Sequence, residues 1–143
     1  MYQYTGCGLE GIFLKNGFTV KETPYGRAVA IDDVEGLHRA IALDIVRKKS
    51  PMSGHQFRFL RKEQDLTQEE TAGMFRVDVQ TIANWEKRGK QEIPGPADVA
   101  MRAYYLAYAH QQFSSPDFAV GSSADERGEF QHSDDGWVPD QAA

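Results

Sequence analysis

Two helix starts in quick succession, at Thr67 and at Asp78, constrain this chain more than any other feature. Thr67 is a good N-cap. Glu70, three residues on, completes a capping box in which hydroxyl and carboxylate each satisfy an amide that the helix leaves open. A helix is predicted over about 68–75. Arg76-Val77 allows only a tight turn, and Asp78 caps a second helix over about 79–87. Gly89 ends it, because glycine accepts the left-handed conformation. Helices joined this closely touch, and only a small residue fits where they meet. Ala72 fills that role, and Leu60, Phe75, Val77, Ile82 and Trp85 are spaced to form one small core beneath them.

The flanking sequence supplies more helices. Ser53 or Gly54 opens one through about 64, with Phe57, Leu60 and Arg61 on adjoining turns, and Asp65-Leu66 breaks it. Ile93-Pro94-Gly95-Pro96 reads as a rigid connector to a last helix over about 97–113, rich in Ala, Tyr and Leu. Upstream, Asp32 or Asp33 caps a predicted helix over 34–49, where Leu37, Ile41 and Ile45 recur four apart on one face. Arg47, Lys48 and Lys49 fill its last turn, a position that favours cations and also one from which a phosphate is within reach. Before it, Ile12-Phe13-Leu14, Phe18-Thr19-Val20 and residues 27–31 read as three short strands. Asn16-Gly17, a strong hairpin signal, and Thr23-Pro24-Tyr25-Gly26 separate them, so a meander is expected. The fold class expected is mainly α: a helical bundle preceded by a small β-meander plus helix. Three segments follow: 1–50, a β-rich piece and helix; 51–113, the helical domain; and 114–143, an acidic tail. The tail is mostly Ser, Gly, Asp, Glu and Gln, buries too little apolar surface to offset its ordering entropy, and is expected to be disordered. Phe130 and Trp137 stand out in it as accidents or as anchors for a partner.

The run from Phe57 to Lys87 resembles the lambda-repressor/Cro (Xre-like) helix-turn-helix family. The features that carry the likeness are Leu66-Thr67-Gln68, Thr71-Ala72, Val77 in the turn, and Thr81-Ile82 with Trp85-Glu86. The resemblance implies a DNA-binding domain between about Ser53 and Tyr108 whose second motif helix enters the major groove. It implies that Val79, Gln80 and Asn84 read bases: Gln and Asn pair bidentately with adenine N6 and N7, and Val79 meets a thymine methyl. It implies backbone contacts from Thr67, Gln68, Arg76, Thr81, Lys87, Arg88 and Lys90. The same face read blandly is an ordinary solvated helix surface. One position departs from the family: the turn glycine is Arg76 here, where a positive φ costs about 1 kcal/mol. Within the superfamily the pattern is similar to the DNA-binding domain of MqsA-type antitoxins, which implies a homodimer on a palindromic double-stranded operator and control of its own operon. Those proteins hold zinc through paired cysteines, whereas this chain has only Cys7, so no metal and no cofactor are expected.

Composition bounds the alternatives. The net charge of −5 looks wrong for a DNA-binding protein, but it is uneven. Residues 53–102 hold eight cations and eight carboxylates, whereas residues 103–143 hold one Arg against seven acids. Whole-chain charge therefore says little about a local DNA-facing patch. No apolar run approaches the roughly 18 residues that span a bilayer. The first residues lack a basic n-region and an apolar h-region, so a cytoplasmic protein is expected. Cys7, four scattered His and Asp32-Asp33 make no defensible nucleophile–base set, so the expectation is not an enzyme. A lone Cys7 reads as a small buried or half-buried hydrophobe, and His38 as a surface or core-edge residue. Three functions compete. The first is a homodimeric repressor, with Met101, Tyr104, Tyr105, Leu106 and Tyr108 as a candidate interface. The second is an antitoxin that neutralises a toxin partner through its N-terminal region or acidic tail. The third is a ligand-sensing regulator with a pocket in residues 1–50.

Overall fold

The computed structural model describes residues 1–113 and 127–140. Eleven elements run β1 (Tyr2–Gln3), β2 (Ile12–Leu14), β3 (Phe18–Thr23), β4 (Gly26–Ile31), α1 (Val34–Arg47), α2 (Gly54–Glu63), α3 (Gln68–Phe75), α4 (Val79–Glu86), α5 (Gly95–Gln112), β5 (Gly128–Ser133) and β6 (Gly136–Pro139). The described chain has the expected helices, five of them, but also six strands in two sheets, so the mainly α expectation holds only in part. It divides into two compact units: one built from residues 1–41 and the described part of 125–143, the other from the described part of 42–124.

The first unit holds a sheet of order β1-β2-β5-β6 and a separate two-stranded sheet β3-β4. The expected meander does not form. β2 pairs antiparallel with β1 and parallel with β5, while β3 pairs with β4 alone through the Pro24-Tyr25 turn. The Asn16-Gly17 signal serves a different purpose. The Asn16 side-chain oxygen accepts the His132 amide at 2.6 Å. Gly17 has φ +79°, and a Cβ there would sit 2.4 Å from the Trp137 ring. The dipeptide therefore receives the C-terminal hairpin instead of turning β2 onto β3.

That hairpin corrects the disorder expected of 114–143. Residues 128–133 and 136–139 are strands, whereas 114–126 and 141–143 lie outside the described residues. The polar composition misleads because strand pairing satisfies the backbone, and few side chains need to be apolar. Alternation puts Ile12 and Leu14 on the buried face beside Phe130, which pairs directly with Leu14. Trp137 is also buried, and its indole N–H donates to the Asp32 carbonyl at 2.8 Å. His38 is half-buried, its Nε2 within 2.7 Å of the Tyr4 hydroxyl, in keeping with a core-edge role. Cys7 is half-buried and not in a disulfide.

The second unit is helical. Ser53 caps α2 in a full capping box with Gln56. The Gly54 and His55 amides donate to the carbonyls of Gln91 and Gly89 at 3.0 and 2.9 Å, so the first amides of α2 all have partners. Gly54 is required there: a Cβ would lie 2.3 Å from the Trp85 carbonyl at the end of α4. Phe57, Leu60, Ile82, Met101 and Tyr105 are fully buried, each worth about 1.5–3 kcal/mol. Phe57, Phe75 and Trp85 meet edge to face with ring centroids 5.6–6.3 Å apart.

Arg102 of α5 closes the C-terminal end of α1. Its guanidinium donates to the carbonyls of Ile45, Val46, Lys48 and Ser50, and its Nε to Asp98. Asp98 in turn accepts the Met52 amide at 3.0 Å. The α5 surface proposed from sequence as an interface is largely spent inside this unit. Met101 and Tyr105 are core, Leu106 and Tyr108 are half-buried, and the Tyr104 hydroxyl donates to the Met74 carbonyl. Among the described residues no helix is long and apolar enough to cross a membrane.

Candidate nucleic-acid interface

The expected motif pair is α3 and α4. Thr67 caps α3 in a box with Glu70, whose carboxylate accepts the Thr67 amide at 3.0 Å. That backbone hydrogen bond holds the Glu70 carboxyl below its ordinary pKa. Its contribution to stability is accordingly present above the ordinary glutamate range and is lost as pH falls through the lowered folded value. Ala72 is buried at the helix junction, and the Arg76 and Val77 amides both donate to its carbonyl. Arg76 takes the left-handed conformation, φ 57° and ψ 47°, so a residue with a Cβ fills the place that favours glycine. Asp78 stands at the N-cap of α4 with extended backbone, but its side chain makes no cap hydrogen bond, contrary to its expected role.

Arg76→Gly should therefore raise stability by about 1 kcal/mol, the cost of a left-handed Cβ. Thermal unfolding checks it, and an unchanged or lowered midpoint would mean that the Arg76 side chain compensates in the free protein.

On α4, Ile82 points inward and is fully buried, as is most of Glu86, while Trp85 is half-buried. The opposite face carries Val79, Gln80 and Asn84, all exposed. Gln80 and Asn84 lie one turn apart, and the Gln80 Nε2 donates to the Asn84 Oδ1 at 3.0 Å. Around this face Thr67, Arg76 and Lys87 are exposed, and Thr81 is half-buried. Arg88 is exposed, but its Nη1 donates to the Glu92 carbonyl, so it shapes the loop after α4. Lys90 is exposed in that loop.

Behind the face is a charged hub that sequence reasoning missed. The Glu86 carboxylate accepts Arg61 Nε at 2.6 Å and Nη2 at 3.0 Å, a fork-to-fork pair. Arg61 Nη1 donates to the Leu66 carbonyl at 2.8 Å. Gln68, half-buried at the start of α3, donates its Nε2 to Glu86 Oε1 at 3.1 Å. Arg58, half-exposed on α2, holds its Nε 3.9 Å from the same oxygen. One carboxylate thus ties α2, α3 and α4 together and fixes two outward side chains, Gln68 and Arg58. Residue type and the short spacing of Arg58 to Arg61 hinted at a cationic α2 face, but nothing local linked it to Glu86.

Residues 57–96 match the family model described as helix-turn-helix. That span runs from α2 to the start of α5 and contains the whole motif. This segment is a helix-turn-helix domain. The matched model is of the Xre, lambda-repressor-like kind found in DNA-binding transcriptional regulators, in agreement with the resemblance read from Leu66-Thr67-Gln68 and Trp85-Glu86. No curated protein and no solved structure matches the chain.

Proposed function

We propose that the protein is a sequence-specific repressor that lays α4 of its helix-turn-helix domain in the major groove and controls its own gene. The observation that carries this reading is the division of labour on α4. Ile82 and Glu86 hold the helix to its domain, while Val79, Gln80 and Asn84 project from it with no core duty. Gln and Asn amides match the adenine edge, and Val79 suits a thymine methyl. Phosphates on either side are met by Arg58, Arg76, Thr81 and Lys87. Gln68 keeps one amide proton for a phosphate after giving the other to Glu86. Thr67 positions the α3 N-terminus toward the backbone, where a helix dipole favours an anion. Arg88 and Lys90 add positive charge at the end of the groove. Because Gln68 is anchored to the same carboxylate as α4, backbone contact and base reading keep one register.

One such domain contacts few phosphates, so the protein acts as a homodimer on a palindrome with half-sites about 34 Å apart. A second reading, an antitoxin that covers a toxin, is favoured by one observation. The β3-β4 hairpin is solvent-exposed along most of both strands, with Val20 and Tyr25 open. A toxin gene beside this one would support it.

Fluorescence anisotropy on DNA from upstream of the gene, against scrambled DNA at two salt concentrations, tests the proposal. Specific binding that survives the higher salt is expected. Equal binding to both DNAs that vanishes with salt would reject sequence reading and leave only phosphate attraction.

A further inference from the structure

The β3-β4 hairpin is built like a sheet that lacks its next strand. A lone two-stranded ribbon is marginal in water, and three or more strands make a stable sheet. Among the described residues, β3 and β4 pair only with each other. One face of the ribbon carries Phe18, Val20, Val29 and Ile31, while β4 presents only Gly26, Ala28 and Ala30 on the other. Large apolar side chains stand open here: Val20 is 46% exposed, Tyr25 at the tip 99%, and Val34 just after β4 43%. We infer that the outer edge of β4 is where two copies of this chain join, antiparallel and centred on Val29, into one four-stranded sheet. The inference rests on the homodimer proposed above and names the surface that makes it.

The backbone selects the edge. In an antiparallel ladder, residues alternate between those that bond to the neighbouring strand and those that point away from it. The Asp32 amide donates to the Gly17 carbonyl at 2.8 Å. Stepping back by twos, Ala30, Ala28 and Gly26 also face β3, which turns the N–H and C=O groups of Arg27, Val29 and Ile31 outward. The β4 register has no bulge, and the strand has no proline and no lysine, the usual guards of an exposed edge. The β3 edge is guarded, with Lys21 and Glu22 on the strand and Pro24 after it.

Charge and size select the occupant. A strand added to β4 must be apolar on the Val29 face, small on the Ala28 face, and acidic near Arg27. β4 itself meets all three demands. With Val29 opposite the partner's Val29, Ala28 faces the partner's Ala30, and Arg27 faces the partner's Ile31 with the partner's Asp33 on the diagonal. Symmetry repeats each contact. Arg27 lies 3.3 Å from Glu22 in its own hairpin, but the two side chains are 71% and 76% exposed, so that pair holds it weakly. The same register brings Tyr25 beside the partner's Val34, so two open apolar side chains cover each other.

Sedimentation velocity of the full-length chain over a range of concentrations tests the inference, and a dimer is expected. Ala28→Glu together with Ala30→Glu sets carboxylates directly opposite one another across the two copies. Within the hairpin, the same change places them opposite Lys21 and Thr19, which tolerate them. The dimer dissociation constant should rise about tenfold or more, because two repulsive pairs form, while the unfolding midpoint stays in place. Mixing this variant with one carrying Ala28→Lys and Ala30→Lys should restore a mixed dimer, a rescue that misfolded chains would not give. Val29→Cys in a Cys7→Ser background should form a disulfide between copies, since a bonded pair on the two-fold axis lies within disulfide range. Val20→Cys, on the far strand, should not.

A wild-type dimer that the paired acidic changes leave intact overturns the β4 edge, and leaves the homodimer to another surface. A chain that stays monomeric at every concentration, with no cross-link through Val29→Cys, overturns it as well. Neither result touches base reading by α4, which the anisotropy comparison decides separately.

Discussion

Glu86→Ala is expected to destabilise the helix-turn-helix domain by about 3–5 kcal/mol, the usual cost of stranding one partner of a buried ion pair. Arg61 would be left nearly buried, with a fork aimed at nothing but the Leu66 carbonyl. Glu86→Gln should cost less, since it keeps one acceptor for Arg61 while giving up the charge. Urea unfolding of the two variants beside the wild type measures both. DNA affinity should fall with Glu86→Ala even where the domain remains folded, because Gln68 loses the anchor that fixes it relative to α4. A loss of under 1 kcal/mol would mean that solvent reaches the pair more freely than its 5% and 10% side-chain exposure suggests.

Arg102→Ala should rank next, at about 2–4 kcal/mol, because it strips the carbonyls at the end of α1 of their donors and leaves Asp98 without its cation. Arg102→Lys should recover little of this, since an ammonium cannot reach several carbonyls and a carboxylate at once in the planar geometry of a guanidinium. The readout is the unfolding midpoint, expected to drop by roughly 10 °C or more for a unit of this size. Full rescue by lysine would show that charge alone, and not the fork, holds the end of α1 to α5.

The helical unit was legible because its signals are local. The Thr67–Glu70 box, the Ser53 start and Gly89 act within a few residues of themselves, and they set α2, α3 and α4 to within a residue or two. The first unit was not, because its centre is a pairing between residues 12–14 and 128–130. Nothing near Phe130 or Trp137 reveals that a strand far away in sequence supplies their partners, and the polar residues around them imitate disorder. Asn16-Gly17 was misread for the same reason: the dipeptide signals a tight hairpin locally, but Trp137 needs the missing Cβ. On α5, a surplus of apolar and aromatic residues suggested an interface, when Met101 and Tyr105 are needed for the domain's own core. Within the candidate site, exposure on α4 follows directly from helical period. The Glu86 hub does not, because it draws on Arg61 and Gln68 from two other helices.

The most direct test of the central claim is the mapping of backbone amide chemical shifts in the full-length protein as duplex DNA is added. The largest changes should fall on the start of α3, the Arg76 turn and Val79, Gln80 and Asn84, with the four-stranded sheet undisturbed. Changes concentrated on the β3-β4 hairpin, with α4 silent, would contradict the account.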